Sequence, residues 1–167
     1  MIDDLNDCQS ERAMALAIAI ERHNAYHFAE WSHRFLPYDA DTADFLQALA
    51  EEERDHERQL IDAFERCFGR PPQLDNLPAT ASYQSGLNQL MEHFFVVNPE
   101  MANSLLKIAL RVEQYTRQYY LDLVLNTSDP ELAEVYGRLA EYEEDHEREF
   151  RQRIARETKS PPVHRPL

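Results

Sequence analysis

Glycine is scarce in this 167-residue chain, with three in all, and cysteine is scarcer, with two. Few glycines beside abundant Ala, Leu, Glu, Arg and Gln argue for helix. Cys8 and Cys67 lie far apart and form no Cys-x-x-Cys pair, which excludes a disulfide framework and a thiolate metal site. Basic residues are also short: 17 Lys and Arg against 31 Asp and Glu give a formal net charge of −14. Phosphate binding needs clustered Lys and Arg, so no nucleic-acid partner is expected, and docking on an anionic membrane is disfavoured. The longest apolar run, Ala13 to Ile20, is eight residues and too short to span a bilayer. The Met-Ile-Asp-Asp opening lacks the basic start of a signal peptide. A soluble, cytoplasmic, single-domain protein with room for a real core is the expectation.

What the chain does have is a repeated decapeptide. EEERDHERQL at 51–60 and EYEEDHEREF at 141–150 agree at six of ten positions, ninety residues apart, and each holds a Glu-x-x-His: Glu53/His56 and Glu143/His146. Each is preceded by a lone Glu on an otherwise apolar helix face, Glu21 and Glu113. From 19 Glu and seven His, chance alone yields about 0.8 such tetrapeptides, so one match means little. Glu30-Trp31-Ser32-His33 is such a chance match. Its Glu30 falls opposite Glu21 on the helix and has no partner, so it is read as surface or an oligomer contact. Two matches in matching decapeptides, each with its lone Glu, are a different matter.

Hydrophobic periodicity predicts an all-α domain over 1–159 with helices at about 10–36, 42–68, 99–126 and 130–157. Ser10 and Asp41 are the expected N-caps of the first two helices, and Gly69 stops the second. Asn98-Pro99 and Asp129-Pro130 each read as an N-cap followed by proline at the first helical position. Inward faces follow the i+3/i+4 pattern: Met14, Ala17, Ile18, Ala25, Phe28 and Phe35 on the first helix; Phe45, Leu46, Leu49, Leu60, Ala63, Phe64 and Cys67 on the second. Leu106, Ala109, Leu110, Tyr120 and Val124 face inward on the third, and Leu132, Tyr136, Leu139, Phe150 and Ile154 on the fourth. Both short turns make antiparallel hairpins. Residues 70–97, with a short helix expected within 85–95, form a crossover running the bundle's length, and 160–167 a flexible tail.

This arrangement brings six ligating side chains together. Glu21 and Glu53 are each about sixteen residues from the first hairpin turn, and Glu113 and Glu143 about fourteen and fifteen from the second. In antiparallel helices they lie level, near mid-bundle. Six ionisable groups aimed into hydrocarbon are very costly unless paired or ligated. A Glu one turn before a His lets the carboxylate bridge two ions while the imidazole ends on one. Glu53 and Glu143 would bridge, Glu21 and Glu113 would cap, and His56 and His146 would each hold one ion. Four carboxylates balance two divalent cations, and the oxygen and imidazole set suits iron, with manganese the alternative.

Other residues are read more plainly. His23 and His27 are expected to be exposed, and Tyr115 and Tyr119 to pack laterally. Tyr120 is open between core packing and a hydrogen bond to a ligand carboxylate. Asp55, Asp145 or Glu52 could orient the opposite imidazoles, or sit in exposed ion pairs with Arg58 and Arg148.

The pattern Glu21 … Glu53-x-x-His56 … Glu113 … Glu143-x-x-His146 resembles the ferritin-like superfamily, nearest its rubrerythrin-type domains, over about residues 10–157. The resemblance implies a four-helix bundle of two antiparallel hairpins with a di-iron centre reacting with hydrogen peroxide or dioxygen, in a homo-oligomer of two or more chains. Iron oxidation for storage and di-iron hydroxylation of an organic substrate share the ligand set. Two departures stand out. Rubrerythrins commonly carry a further Glu one turn after the lone Glu of the third helix, where this chain has Thr116. They also often carry a four-cysteine rubredoxin domain, so here a separate electron-donor protein is expected.

Overall fold

The structure, a computed structural model, describes residues 2–74 and 95–159, with side chains over 10–74 and 95–158. Four helices account for nearly all of them: α1 (Ile2–Phe35), α2 (Ala40–Phe68), α3 (Pro99–Asn126) and α4 (Pro130–Lys159). The boundaries follow from capping. Asp39 accepts from the Asp41 amide at 3.1 Å and opens α2. Gly69 closes α2 at φ 67, a left-handed conformation that glycine adopts without a Cβ penalty. Asn98 accepts from the Met101 amide at 2.9 Å, and Asp129 from the Glu131 amide at 2.8 Å, each just before a proline.

Two expected starts are corrected. α1 begins at Ile2, not after Ser10, because residues 2–9 contain neither proline nor glycine to stop the helix. The α2 cap is Asp39, not Asp41, since the turn after Phe35 is one short loop and the first acid beyond it takes the cap. The short helix expected within 85–95, most of the crossover and the tail at 160–167 lie outside the described residues, Phe95 apart.

α1 packs closely on α2 and α3 on α4, and the two hairpins meet through α1 with α3 and α2 with α4. Cross-hairpin contacts give the direction. Ala13 meets Tyr119 while Asn24 meets Thr116, and Thr42 meets Arg153 while Glu52 meets His146. Both neighbouring pairs are therefore antiparallel. α2 ends beside the start of α4 (Arg66 to Glu131), whereas the approach to α3 lies at the other end, where the Val96 amide donates to the Arg34 carbonyl. The end of α2 and the start of α3 therefore lie at opposite ends of the bundle, the arrangement that a ferritin-like crossover connects.

Two apolar clusters fill the bundle. One, toward the α1–α2 turn, centres on Phe28, Trp31, Leu46, Leu106 and Phe150. The other, toward the α3–α4 turn, centres on Met14, Ile18, Leu60, Tyr120 and Leu139. Each fully buried large side chain contributes about 1.5–3 kcal/mol. Between the clusters lies the polar layer described below.

One inward-face expectation and two surface expectations fail. Cys67 is exposed, lying in the last turn of α2. His27 is buried and Trp31 almost wholly so, where exposed positions were expected. Of the Glu30–His33 tetrapeptide only His33 is exposed. For Trp31 the reason is spacing: α3 stands farther from α1 than α2 does, which leaves room for a bulky side chain. Trp31 shares an apolar cluster with Leu105, Val112 and Val96, and His27 stacks on Trp31 at 5.7 Å between ring centres.

Burial, with the nearby His23 and Arg34 charges, lowers His27 to about 4 from an ordinary 6.5. The unfolded chain therefore binds a proton more readily than the folded one between those values, and stability falls as pH drops through that window. In denaturant titrations at pH 8 and pH 5, His27→Phe should gain stability over the wild type at pH 5 relative to pH 8. An equal difference at both pH values would show that His27 is not the group responsible.

Candidate metal centre

All six expected residues converge at mid-bundle, and all six side chains are buried. They form two interlocking sets. Glu21, Glu53, His56 and Glu143 make one, and Glu53, Glu113, Glu143 and His146 the other, with the offered ligand atoms of each set within 4.8 Å of one another. Glu53 and Glu143 belong to both. His56 Nδ1 is 3.8 Å from Glu21 Oε2 and 3.8 Å from Glu53 Oε2. His146 Nδ1 lies 3.2 Å from Glu113 Oε2, 3.4 Å from Glu53 Oε1 and 3.8 Å from Glu143 Oε2. The two imidazoles stack at 6.0 Å.

Buried polar atoms ordinarily have partners. Here both oxygens of Glu53, both of Glu143, Glu21 Oε2, Glu113 Oε1 and His56 Nδ1 make no well-formed hydrogen bond. Oxygen and imidazole donors left open, aimed at one another and sealed from water, fit a pair of hard or borderline divalent cations.

The chain matches the rubrerythrin family model over residues 13–154, a span that includes all six. It belongs to the rubrerythrin family. The fold and the buried Glu/His cluster are thus those of a ferritin-like di-iron carboxylate protein. No curated protein and no solved structure gave a significant match.

The surroundings settle several open readings. Tyr120 is wholly buried and its hydroxyl donates to Glu21 Oε1. Of the three acids considered, Glu52 reaches an imidazole, lying 3.1 Å from His146 Nε2. Asp55 and Asp145 pair with Arg58 and Arg148 one turn along their own helices. Tyr119 packs laterally as expected and donates to the Ala13 carbonyl at 2.8 Å; Tyr115 is exposed. Thr116 is fully buried, accepts from Asn24 Nδ2 at 3.2 Å and donates to the Val112 carbonyl. Two neighbours went unnoticed in the sequence, Asn24 and Tyr142, which stacks on His56 at 5.1 Å. The internal repeat carried a signal for both: Asn24 follows Glu21 as Thr116 follows Glu113, and Tyr142 matches Glu52.

Electrostatics set the proton inventory. Burial first, then the neighbouring carboxylates, drives Glu53 and Glu143 well above the ordinary carboxylate value. Burial raises Glu113 as well. It would raise Glu21 too, but Glu53, His56 and Tyr120 hold that carboxyl below its usual value. Burial opposes charge on His56, yet Glu21 and Glu53 outweigh it and raise the imidazole to about 10. His146 is raised further, against burial, by Glu113, Glu143 and Glu52.

These shifts all favour the protonated forms of Glu53, Glu143, His56 and His146, and a proton held on any of them must leave before that group can ligate. Divalent metal should therefore displace protons, and binding should weaken as pH falls. Calorimetry of manganese binding at pH 7 in buffers of different ionisation enthalpy checks this. The expected result is net proton release; a buffer-independent enthalpy would show that the ligands are already deprotonated.

Proposed function

We propose that the protein is a non-haem di-iron redox enzyme that reduces hydrogen peroxide or reacts with dioxygen. The observation that carries the proposal is the sharing of Glu53 and Glu143 between two four-residue sets. A carboxylate common to two sets suits a bridge between two ions, while Glu21 with His56 and Glu113 with His146 would each complete one set. Two ferrous ions, when bound, would supply the two electrons that, with two protons from solvent, take hydrogen peroxide to two waters, becoming ferric.

The chain's own residues would do the rest. Glu53 and Glu143 hold both positions at one spacing because they stand on α2 and α4, braced by Leu49 and Leu60 and by Leu139 and Phe150. The two apolar clusters keep bulk water out of the layer, which strengthens every interaction inside it. Tyr120 remains protonated, because burial and the Glu21 and Glu143 charges push its hydroxyl well above 10, and it steadies Glu21 as a donor. We further propose a separate electron-donor protein, a cytoplasmic setting and a homo-oligomer; one chain supplies all six ligands by itself. Among the described residues no helix is long and apolar enough to cross a membrane.

A second function is favoured by Thr116. A hydroxyl already engaged by Asn24 and the Val112 carbonyl stands where peroxide-reducing relatives commonly place a seventh carboxylate. The remaining symmetric six-ligand set suits iron oxidation for transfer to storage. The iron stoichiometry after oxidation separates the two.

An anaerobic Fe(II) titration should saturate at two irons per chain. Peroxide should then oxidise the loaded protein faster than dioxygen, with near-ultraviolet charge-transfer bands appearing. Retention of many irons per chain under air would favour iron oxidation for storage, and no binding would overturn both functions. Glu53→Ala should abolish paired binding, and a variant still holding two irons would refute the bridging role.

A further inference from the structure

The two halves of the centre are related by the internal repeat, and two positions break that symmetry. The repeat sets residues of α4 ninety places after those of α2, and residues of α3 ninety-two after those of α1, as Glu113 follows Glu21. Glu52 thus corresponds to Tyr142, and Tyr120 to Phe28. Both differences fall on ligands. On one side the carboxylate of Glu52 lies 3.1 Å from His146 Nε2, while the corresponding imidazole, His56, has the Tyr142 ring stacked on it instead. On the other, Tyr120 donates its hydroxyl proton to Glu21, while Phe28, its counterpart, has no hydroxyl to offer Glu113.

The two differences act in the same direction. An imidazole whose Nε2–H is donated to a carboxylate is a more basic, better oriented ligand through Nδ1. His146 presents Nδ1 to Glu113, Glu53 and Glu143, so the set containing it gains. A carboxylate that accepts a hydrogen bond from a phenol has less electron density left for a cation, so the set containing Glu21 loses. Glu52 also places a half-exposed negative charge nearest the His146 half, with His56 feeling it less than His146 does.

We infer that the two positions are unequal: Glu53, Glu113, Glu143 and His146 hold a resident ion, and Glu21, Glu53, His56 and Glu143 hold an exchangeable one, with Glu52 and Tyr120 setting the order. The inference rests on the di-metal assignment proposed above. Loss of such a carboxylate partner ordinarily costs about ten- to a hundred-fold in metal affinity, and a gap of that size is expected between the two binding steps.

The test is anaerobic calorimetry of the metal-free, full-length protein with Co(II), joined to Mn(II) electron paramagnetic resonance at one and two equivalents. The wild type should bind in two steps, with a mononuclear manganese signal at one equivalent and a coupled pair at two. Glu52→Gln should weaken the first step roughly ten-fold or more and close the gap. Tyr142→Glu, which gives His56 the partner it lacks, should close the gap from the other side by tightening the second step. Both substitutions are at solvent-exposed positions, so folding is spared. Glu21→Ala should retain the tight step and Glu113→Ala the weak one. Two equal steps in the wild type, an unchanged gap in both exposed-site variants, or the reverse pattern in the Ala variants would overturn the ranking while leaving the di-metal assignment standing. Failure to bind two ions per chain would overturn both.

Discussion

Burial of four carboxylates and two imidazoles in one layer of a helical bundle is the constraint on which the rest of this protein depends. Taking an ion from water into a protein interior costs several kcal/mol even after relaxation. A domain of this size has only about 5–15 kcal/mol of net stability to set against that. The cost is met in two ways. The shifts that favour protons on Glu53, Glu143, His56 and His146 limit the charge of the metal-free layer. Large apolar clusters on both sides, anchored by Phe28, Trp31 and Phe150 at one end and Met14, Phe64 and Tyr136 at the other, supply the burial that the middle layer cannot. Helices of 28 residues and more follow from this, since the bundle needs a core above the site and another below it.

The symmetry of the site and its breaking have different sources. The six converging Glu and His residues obey the internal repeat, and Asn24 bonding Thr116 obeys it too, each being the other's counterpart. Glu52 and Tyr120 do not obey it, and each touches a single ligand. On the proposed reading, the repeated set supplies two metal positions, and these neighbours set how they differ. Thr116 belongs to this second group. Engaged by Asn24, it closes the turn beyond Glu113 with a neutral hydrogen bond where a further carboxylate would add charge.

The convergence of six Glu and His residues and the four helices were legible in the sequence because each rests on a pattern that chance seldom makes twice. The repeated decapeptide, the lone Glu on each apolar stripe and the Asn-Pro and Asp-Pro caps report local chemistry, and local chemistry is what a sequence carries. What was illegible depends on distances between helices. Nothing along α1 reveals that α3 stands far enough away to leave room for Trp31, so a position that reads as surface is buried. Glu52 was one of three acids within reach of an imidazole by spacing alone, and only the crossing of α2 and α4 selects it over Asp55 and Asp145. Ser10 misled for a simpler reason: a good capping residue does not end a helix when nothing before it breaks one.

Diffraction at the iron absorption edge from crystals of the anaerobically loaded protein tests the central claim most directly. The predicted result is two anomalous peaks per chain, both in contact with Glu53 and Glu143, one also bound by Glu21 and His56 and the other by Glu113 and His146. A single peak, a pair that does not share Glu53 and Glu143, or iron found only on the acidic surface would contradict it.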